Sequence, residues 1–455
     1  MARRQAGVTL VELMIALVLG TLVLLGLITL MNSVGQTNRV QDGMARMQEN
    51  GRYALQRISE DLRAASSQYC SNFGAATGRD GSGAAGTAEY LLEQPRAIVA
   101  HYDVGTNLKF GPIVASAPPL PPAVLGSANA TYLISPRWML FGSECGTATC
   151  APAVNAANRG TDLTIFSGAR ATMGVNNGNR ARGADTLSIR YIRGAGVPVT
   201  AVRNNELEAG NLPVEVDANS AALGITDTTI GQVLVTDCAV GDVLRMRAGG
   251  GTLTAANNYQ NDVMQAPNPN SDPRVFNLDR DLVQVSYFLQ VKDDPNPNRN
   301  PATRKIVVLM RSENGVAQEI VEGVERLDFM YAVDDNLGRT QYLTATQVDA
   351  MAAACPPSPY QPSGYTANYF GAPEPGCGWR AVKSVEVSLL MNTVSDAALT
   401  SDEAFRYSWT NAGVANTGNT YEIPSALGTM RSGLPPYRML RREFRAQVGV
   451  RGYNY

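Results

Sequence analysis

The 455-residue chain has one histidine, His101, and four lysines among 38 basic residues. A single imidazole and the absence of any C-x-x-C pair argue against a zinc site. No G-x-S-x-G occurs, so the nucleophile elbow of hydrolases is unsupported. Charged residues make up 17% of the chain, against about 25% in an average soluble domain. With a formal net charge of −2, bulk charge implies no nucleic-acid partner. The shortage of lysine relative to arginine is a bias of composition, not a signature of function.

Long apolar runs are not lacking. Val8–Met31 holds 24 residues with one charge, Glu12. As a helix this run rises about 36 Å, against roughly 30 Å of hydrocarbon in a bilayer. A cleaved secretory signal has an apolar region of about 7–15 residues and an A-x-A-like cleavage site; here the run is longer and "NSVGQTN" follows it. In a plain single-span anchor, an acid near the helix centre costs on the order of 3 kcal/mol. Cleavage after Gly7 accounts for both features. Val8 then becomes the N-terminus, and its ammonium lies one helical turn from Glu12, on the same face. The carboxylate neutralises an ammonium within lipid, on its own chain or a neighbouring one. It also sits at the favourable end of the helix dipole. Arg3 and Arg4 stay on the cytoplasmic side.

This arrangement resembles the class III signal of type IV pilins and type II secretion pseudopilins. Their short basic leader ends in Gly, and Glu stands at the fifth mature position. The usual first mature residue of that family is Phe, from which Val8 departs.

The next segment is amphipathic. Val40, Met44, Met47, Gly51, Leu55, Ile58 and Leu62 form one apolar stripe at helical spacing. Arg46, Glu49, Arg52, Arg57, Glu60 and Asp61 are assigned to the other, polar faces. Both halves read as one helix from Val8 to about Ala65, on the order of 87 Å long. The first half is suited to lipid and neighbouring subunits, the second to packing on a globular body. The stretches "RVQ", "ARMQENGRYAL" and "DLR" are similar, in this order, to PilW-type minor pilins.

Beyond Ala65 the chain reads as β-rich. Strand-like runs lie at 162–168, 185–192, 230–238, 242–248, 282–291, 305–312, 326–334 and 383–392, each bounded by Gly, Pro, Asn or Asp. "DDPNPNRNP" reads as a hairpin loop and 344–355 as a short helix. A helix followed by serial strands implies an α+β fold, with an antiparallel sheet packed on the helical stripe. No clear linker divides the body, so the expected layout is a leader at 1–7, a membrane half at 8–31, an amphipathic half at 32–65 and one elaborated body at 66–455. "DTLSIRYI", "LVTDC", "EIVEGVERLDFMYAVD" and "WRAVKSVEVSLLMNT" extend the PilW resemblance. The insertions at 66–160, 196–229 and 251–275 do not, and read as Gly/Asn/Pro-rich surface loops.

Six cysteines lie outside the membrane segment, an even number in an exported body, so disulfides are expected. Loop length favours Cys145–Cys150 and Cys355–Cys377, leaving Cys70 with Cys238, although six cysteines allow 15 pairings. Other chemical motifs are weak. "GSGAAG" (81–86) satisfies G-x-G-x-x-G but follows a loop and not a strand. His101 sits in an alternating run and reads as a packed or surface residue. Asp294, Asn296 and Asn298 match the first spacings of a calcium loop, yet Arg299 and Lys305 replace its Gly and Glu. Arg438, Arg441, Arg442 and Arg445 form a basic cluster that could hold phosphate; a solvated charged rim is the plainer reading. No cofactor, metal or catalytic residue is expected.

The resemblance implies a structural minor pilin that helps prime and assemble a type IV pilus within a tip complex of minor pilins. Its implied partners are the other minor pilins, the major pilin, prepilin peptidase, the inner-membrane assembly platform and a tip adhesin. Two alternatives stand beside it: a J-type minor pseudopilin of type II secretion, and a membrane-tethered periplasmic enzyme.

Overall fold

The computed structural model describes residues 9–65, 76–77, 88–89, 140–154, 168–203, 215–226, 230–236, 241–249, 252–255, 274–296, 304–334, 339–351, 379, 382–395, 405–406, 421–422, 434–435, 437 and 439–450. One helix, α1 (Leu10–Ala64), spans 55 residues, or about 82 Å. Thr9 caps its start in a reciprocal box with Glu12, and Arg63 in its last turn suits the negative end of the dipole. From Leu10 to Arg39 every residue is exposed. The most apolar 18-residue window has a mean hydropathy of 2.7 and no buried residue. Its few hydroxyls are satisfied locally: Thr21 donates to the Val18 carbonyl at 2.9 Å and Thr29 to that of Gly26 at 2.8 Å. That is the arrangement an apolar medium demands.

The body contains two packed antiparallel sheets. The larger is built from β1 (Leu140–Cys145), β2 (Cys150–Ala151), β3 (Thr186–Ile192), β10 (Leu282–Asp293), β11 (Lys305–Glu313) and β12 (Val316–Glu322). Its order is β12-β11-β10-β3-β1-β2. The smaller holds β13 (Val324–Asp334), β14 (Thr340–Leu343), β15 (Val382–Asn392) and β16 (Arg441–Gly449), in the order β14-β13-β15-β16. β10 shows why these strands read as continuous apolar runs. Val283, Val285, Tyr287, Leu289 and Val291 face the main core shared with α1 and the smaller sheet, while Phe288 faces a second cluster with Val308, Met310 and Cys145. Both faces are covered, so hydrophobic residues occupy both phases of the pleat.

The chain steps from one sheet to the other through a single residue, Gly323, between β12 and β13. Its φ is +80°, which suits glycine. A Cβ there would also stand 2.7 Å from Val394 Cγ2 and 2.9 Å from the Asn392 carbonyl oxygen. Asn314 and Gly315, with φ of 47° and 86°, close the β11–β12 hairpin, the Asn-Gly signal for that turn.

Between β3 and β10 lies a third unit, a closed barrel. Its strands are β4 (Val197–Arg203), β5 (Glu215–Ala218), β6 (Ile230–Thr236), β7 (Gly241–Gly249), β8 (Thr252–Ala255) and β9 (Arg274–Asn277), in the cyclic order β8-β5-β4-β9-β6-β7. Within the stretches read as surface loops, residues 197–203, 215–218, 252–255 and 274–275 are barrel strands instead. β5, β8 and β9 are only four residues long, too short for a local pattern to stand out from their Gly- and Asn-rich surroundings. The insertion at 66–160 likewise contributes β1 and β2. The expected strands at 185–192, 230–238, 242–248, 282–291, 305–312, 326–334 and 383–392 are present with shifted ends. The run at 162–168 lies outside the described residues except for Gly168, which opens a 3-10 turn. The expected hairpin loop joins β10 to β11, with Asp293 opposite Lys305. The short helix runs Ala345–Ala350, capped by Thr344 and Gln347.

Candidate functional site: the exposed helix and its seat

Two places on α1 carry the chemistry that the sequence singled out: its start, and its last five turns. At the start, the Glu12 carboxylate turns back over its own helix terminus. Oε2 accepts from the Thr9 backbone N–H and from the Thr9 hydroxyl, each at 3.1 Å. Thr9 Oγ1 in turn accepts from the Glu12 N–H at 3.3 Å. The acid that seemed misplaced in an apolar run thus has local partners. Gly7 and Val8 lie outside the described residues.

Over its last turns α1 lies on both sheets. Of the apolar stripe, Met47, Gly51, Ile58 and Leu62 are buried, while Val40, Met44 and Leu55 are half-buried. Gly51 is needed for close approach: a Cβ there would stand 2.8 Å from three ring carbons of Phe444 on β16. Asp61 requires a correction. Assigned to a polar face from spacing, it is 3% exposed and sits at the centre of a buried network. Arg311 Nε donates to Asp61 Oδ2 at 2.7 Å and Nη2 to Oδ1 at 3.1 Å. The Tyr287 hydroxyl donates to Oδ2 at 2.5 Å, with the Arg57 carbonyl oxygen 3.1 Å away. Tyr191 donates to Oδ1 at 3.3 Å. Arg311 continues to Glu313 at 2.7 Å, and Glu313 to Arg193 at 2.6 Å.

Electrostatics favour the charged forms of Arg311 and Glu313 and the neutral form of Tyr287. Burial alone would lower the pKa of Arg311, but its bonds to Asp61 and Glu313 raise it above the usual guanidinium value. Burial and then the Asp61 charge raise the Tyr287 phenol, so it stays a donor. Burial also works to raise Glu313, and the two arginines overcome it to lower that carboxyl.

In the basic cluster near the C-terminus, one arginine departs from the solvated reading. Arg441 is 7% exposed and makes a fork to Glu325, at 2.8 Å from Nε and 3.0 Å from Nη2. Asn392 donates to the same carboxylate at 2.9 Å, so the pair spans three strands. Arg445 binds Glu443, and Arg442 lies over the Phe444 ring at 5.6 Å. Arg441 is therefore buried in a structural pair, whereas Arg442 and Arg445 are exposed. Arg438 lies outside the described residues.

Between the sheets, Asp185 Oδ1 accepts from the Cys145 N–H at 2.9 Å and Oδ2 from the Phe329 N–H at 3.2 Å. Cys145 and Cys150 form a disulfide, with Arg180 Nη1 3.4 Å from Cys150 Sγ. Burial lowers the Arg180 pKa to about 10. Cys70, Cys238, Cys355, Cys377, His101, "GSGAAG", Asn298 and Arg299 all lie outside the described residues. In the calcium-like stretch, Asp294 faces Arg304 at 3.8 Å. Among the described residues no three His, Cys, Asp or Glu side chains converge to hold a metal.

The geometry is thus that of an apolar helix, exposed through its first half, whose second half is keyed to a β-rich body. Residues 2–28 match the family model described as Prokaryotic N-terminal methylation motif, and residues 287–452 match Type IV Pilus-assembly protein W. The two matches support a PilW-type pilin. No curated protein and no solved structure matches the chain. The PilW match covers β11 to β16, most of β10, and the Arg311, Glu325 and Arg441 positions. It stops short of the barrel. The PilW family is a structural pilus component, and the two matches support a type IV pilus minor pilin role with interactions to other pilus components. The methylation motif and the single apolar helix fit an inner-membrane anchor.

Proposed function

We propose that this pilin is a minor subunit that primes assembly of a type IV pilus, in a tip complex with other minor pilins. Prepilin peptidase removes residues 1–7 and Val8 is N-methylated. Residues 8–31 anchor the chain in the inner membrane, residues 32–65 seat the helix, and the 66–455 body stands in the periplasm until assembly carries it into the pilus.

One observation carries this reading. The Glu12 carboxylate rests on the N–H of Thr9, the residue next to Val8. It lies at the end of a helix that is exposed from Leu10 to Arg39. After cleavage the new ammonium belongs to the residue before Thr9, one helical turn from Glu12 in sequence, and the bare helix offers both to a neighbouring subunit in lipid. An unpartnered ammonium there is costly, by about 3–5 kcal/mol for a broken buried pair.

Glu12→Leu removes both the cap and the charge, whereas Glu12→Gln keeps an acceptor for Thr9 and removes only the charge. Both variants should insert and be cleaved, with N-terminal sequencing starting at N-methyl-Val8. Both should be nearly absent from shear-released pili when blotted against the membrane fraction. Wild-type amounts of Glu12→Gln in sheared pili would sink the charge-pair reading, and an intact Met1 in a peptidase-positive strain would sink the processing.

A further inference from the structure

The barrel occupies the place of a hairpin turn. Ile192 and Leu282 are register partners on β3 and β10, and the Arg193 N–H donates to the Asp281 carbonyl at 2.8 Å. The chain therefore leaves the larger sheet and returns to it at adjacent points, with residues 193–281 in between. Such a connection can be long without disturbing the strands it joins, because closure entropy grows only with the logarithm of length.

The insert has the parts of a separate folding unit. Leu223, Val233, Met246, Leu253 and Val275 are fully buried in a cluster of their own, which shares no residue with the main core. Its six strands close on themselves, so no edge needs cover from the body. At its root two polar bonds run within the insert, Asn277 Nδ2 to the Leu223 carbonyl at 2.8 Å and Arg280 Nη1 to that of Ala222 at 3.1 Å, and one ion pair, Arg193 to Glu313, reaches the frame.

Its root is remote from the membrane end. Tyr191, two residues before the insert, reaches Asp61 in the last turn of α1, about 77 Å along the helix from Leu10. Residues 193–281 hold six basic and eleven acidic residues in a chain of net charge −2, a balance that argues against a polyanionic ligand.

We propose that residues 193–281 are an independently folding module, borne at the helix end remote from the membrane, which the pilin frame needs neither to fold nor to enter the pilus. The statement about pilus entry rests on the minor-pilin reading above; the statement about folding does not.

The test is the full chain with 194–280 replaced by Asn-Gly, a two-residue turn that suits a hairpin, beside full-length Leu253→Asp and Leu327→Asp. In detergent, wild type should show separate barrel and frame unfolding transitions. The deletion should keep the frame transition and the Cys145–Cys150 disulfide, and Leu253→Asp should abolish the barrel transition alone. Leu327→Asp, in the frame core, should do the reverse. Loss of both transitions in Leu253→Asp, or a frame degraded by protease in the deletion, would overturn the independence. In sheared pili the deletion should appear at the wild-type ratio to the membrane fraction. A folded deletion variant missing from pili that contain the wild type would overturn dispensability. Absence of the wild type itself would instead count against the minor-pilin reading and leave the melting result standing.

Discussion

Asp61 and Arg311 lie 250 positions apart in the chain and meet in a two-pronged buried pair, at 2.7 and 3.1 Å. The pair fixes the last turn of α1 to the larger sheet. Their side chains are 4% and 6% exposed, so neither charge has water as a fallback.

Removing one partner strands the other. Asp61→Ala should destabilise the detergent-solubilised chain by about 3–5 kcal/mol in urea unfolding, whereas the double change Asp61→Leu with Arg311→Met should cost much less. Additive losses in that cycle would mean that the two groups act independently.

Gly51 tests the close approach of helix and sheet. Alanine is favoured over glycine in a helix by about 1 kcal/mol, but overpacking against the Phe444 ring costs typically 1–3 kcal/mol. Gly51→Ala should therefore lower stability, and Gly51→Leu more so. In a Phe444→Ala background the sign should reverse and Gly51→Ala should stabilise. A stabilising Gly51→Ala in the wild-type background would show that the ring yields freely.

The Tyr331 hydroxyl sits 1.8 Å from where a Cβ of Gly142 would be. It is buried without a hydrogen-bond partner among the described residues, and the ring meets Trp379 edge-on at 4.9 Å. Tyr331→Phe removes the orphan group and keeps the ring contact. Thermal unfolding should show a gain of about 1–3 kcal/mol; a loss of stability would reveal a partner that the hydroxyl needs.

Asp185 makes stability depend on pH. Burial first, and then the charge of Asp328, push its carboxyl well above the ordinary value of 3.8, against the two backbone donors that favour ionisation. From that ordinary value upward, the folded state holds a proton that the unfolded chain has released. The contribution is thus full in acid and lost as pH rises toward the raised value. Urea midpoints taken from pH 4 to 7 should show the wild type losing ground to Asp185→Asn as pH increases. Parallel profiles would show that Asp185 ionises normally in the folded protein.

Much of this was legible in the amino-acid order. Hydrophobic periodicity located α1 and seven of the sixteen strands β1–β16, because burial of one helix face or both sheet faces leaves a local trace. Glu12 was visible because a single carboxylate in an apolar run has few explanations. Asp61 was misassigned because 3.6-residue spacing marks where a side chain points and not what meets it there. β16 reads in sequence only as a charged strand or rim, because its arginines and glutamates obscure alternation, and Arg441 is buried through its pairing with Glu325. Asn314–Gly315 is a local hairpin signal.

The sequence by itself determined the apolar start of α1, the amphipathic stripe, the strand-rich body and the resemblance to minor pilins, since each rests on neighbours within a few residues. Tertiary structure alone decided which charges are buried, since Asp61 and Glu325 find Arg311 and Arg441 across 250 and 116 positions. It also decided that a stretch rich in Gly and Asn closes into a barrel. Strand pairing is a contact between distant segments, and short strands carry too few residues for local pattern to announce their partners.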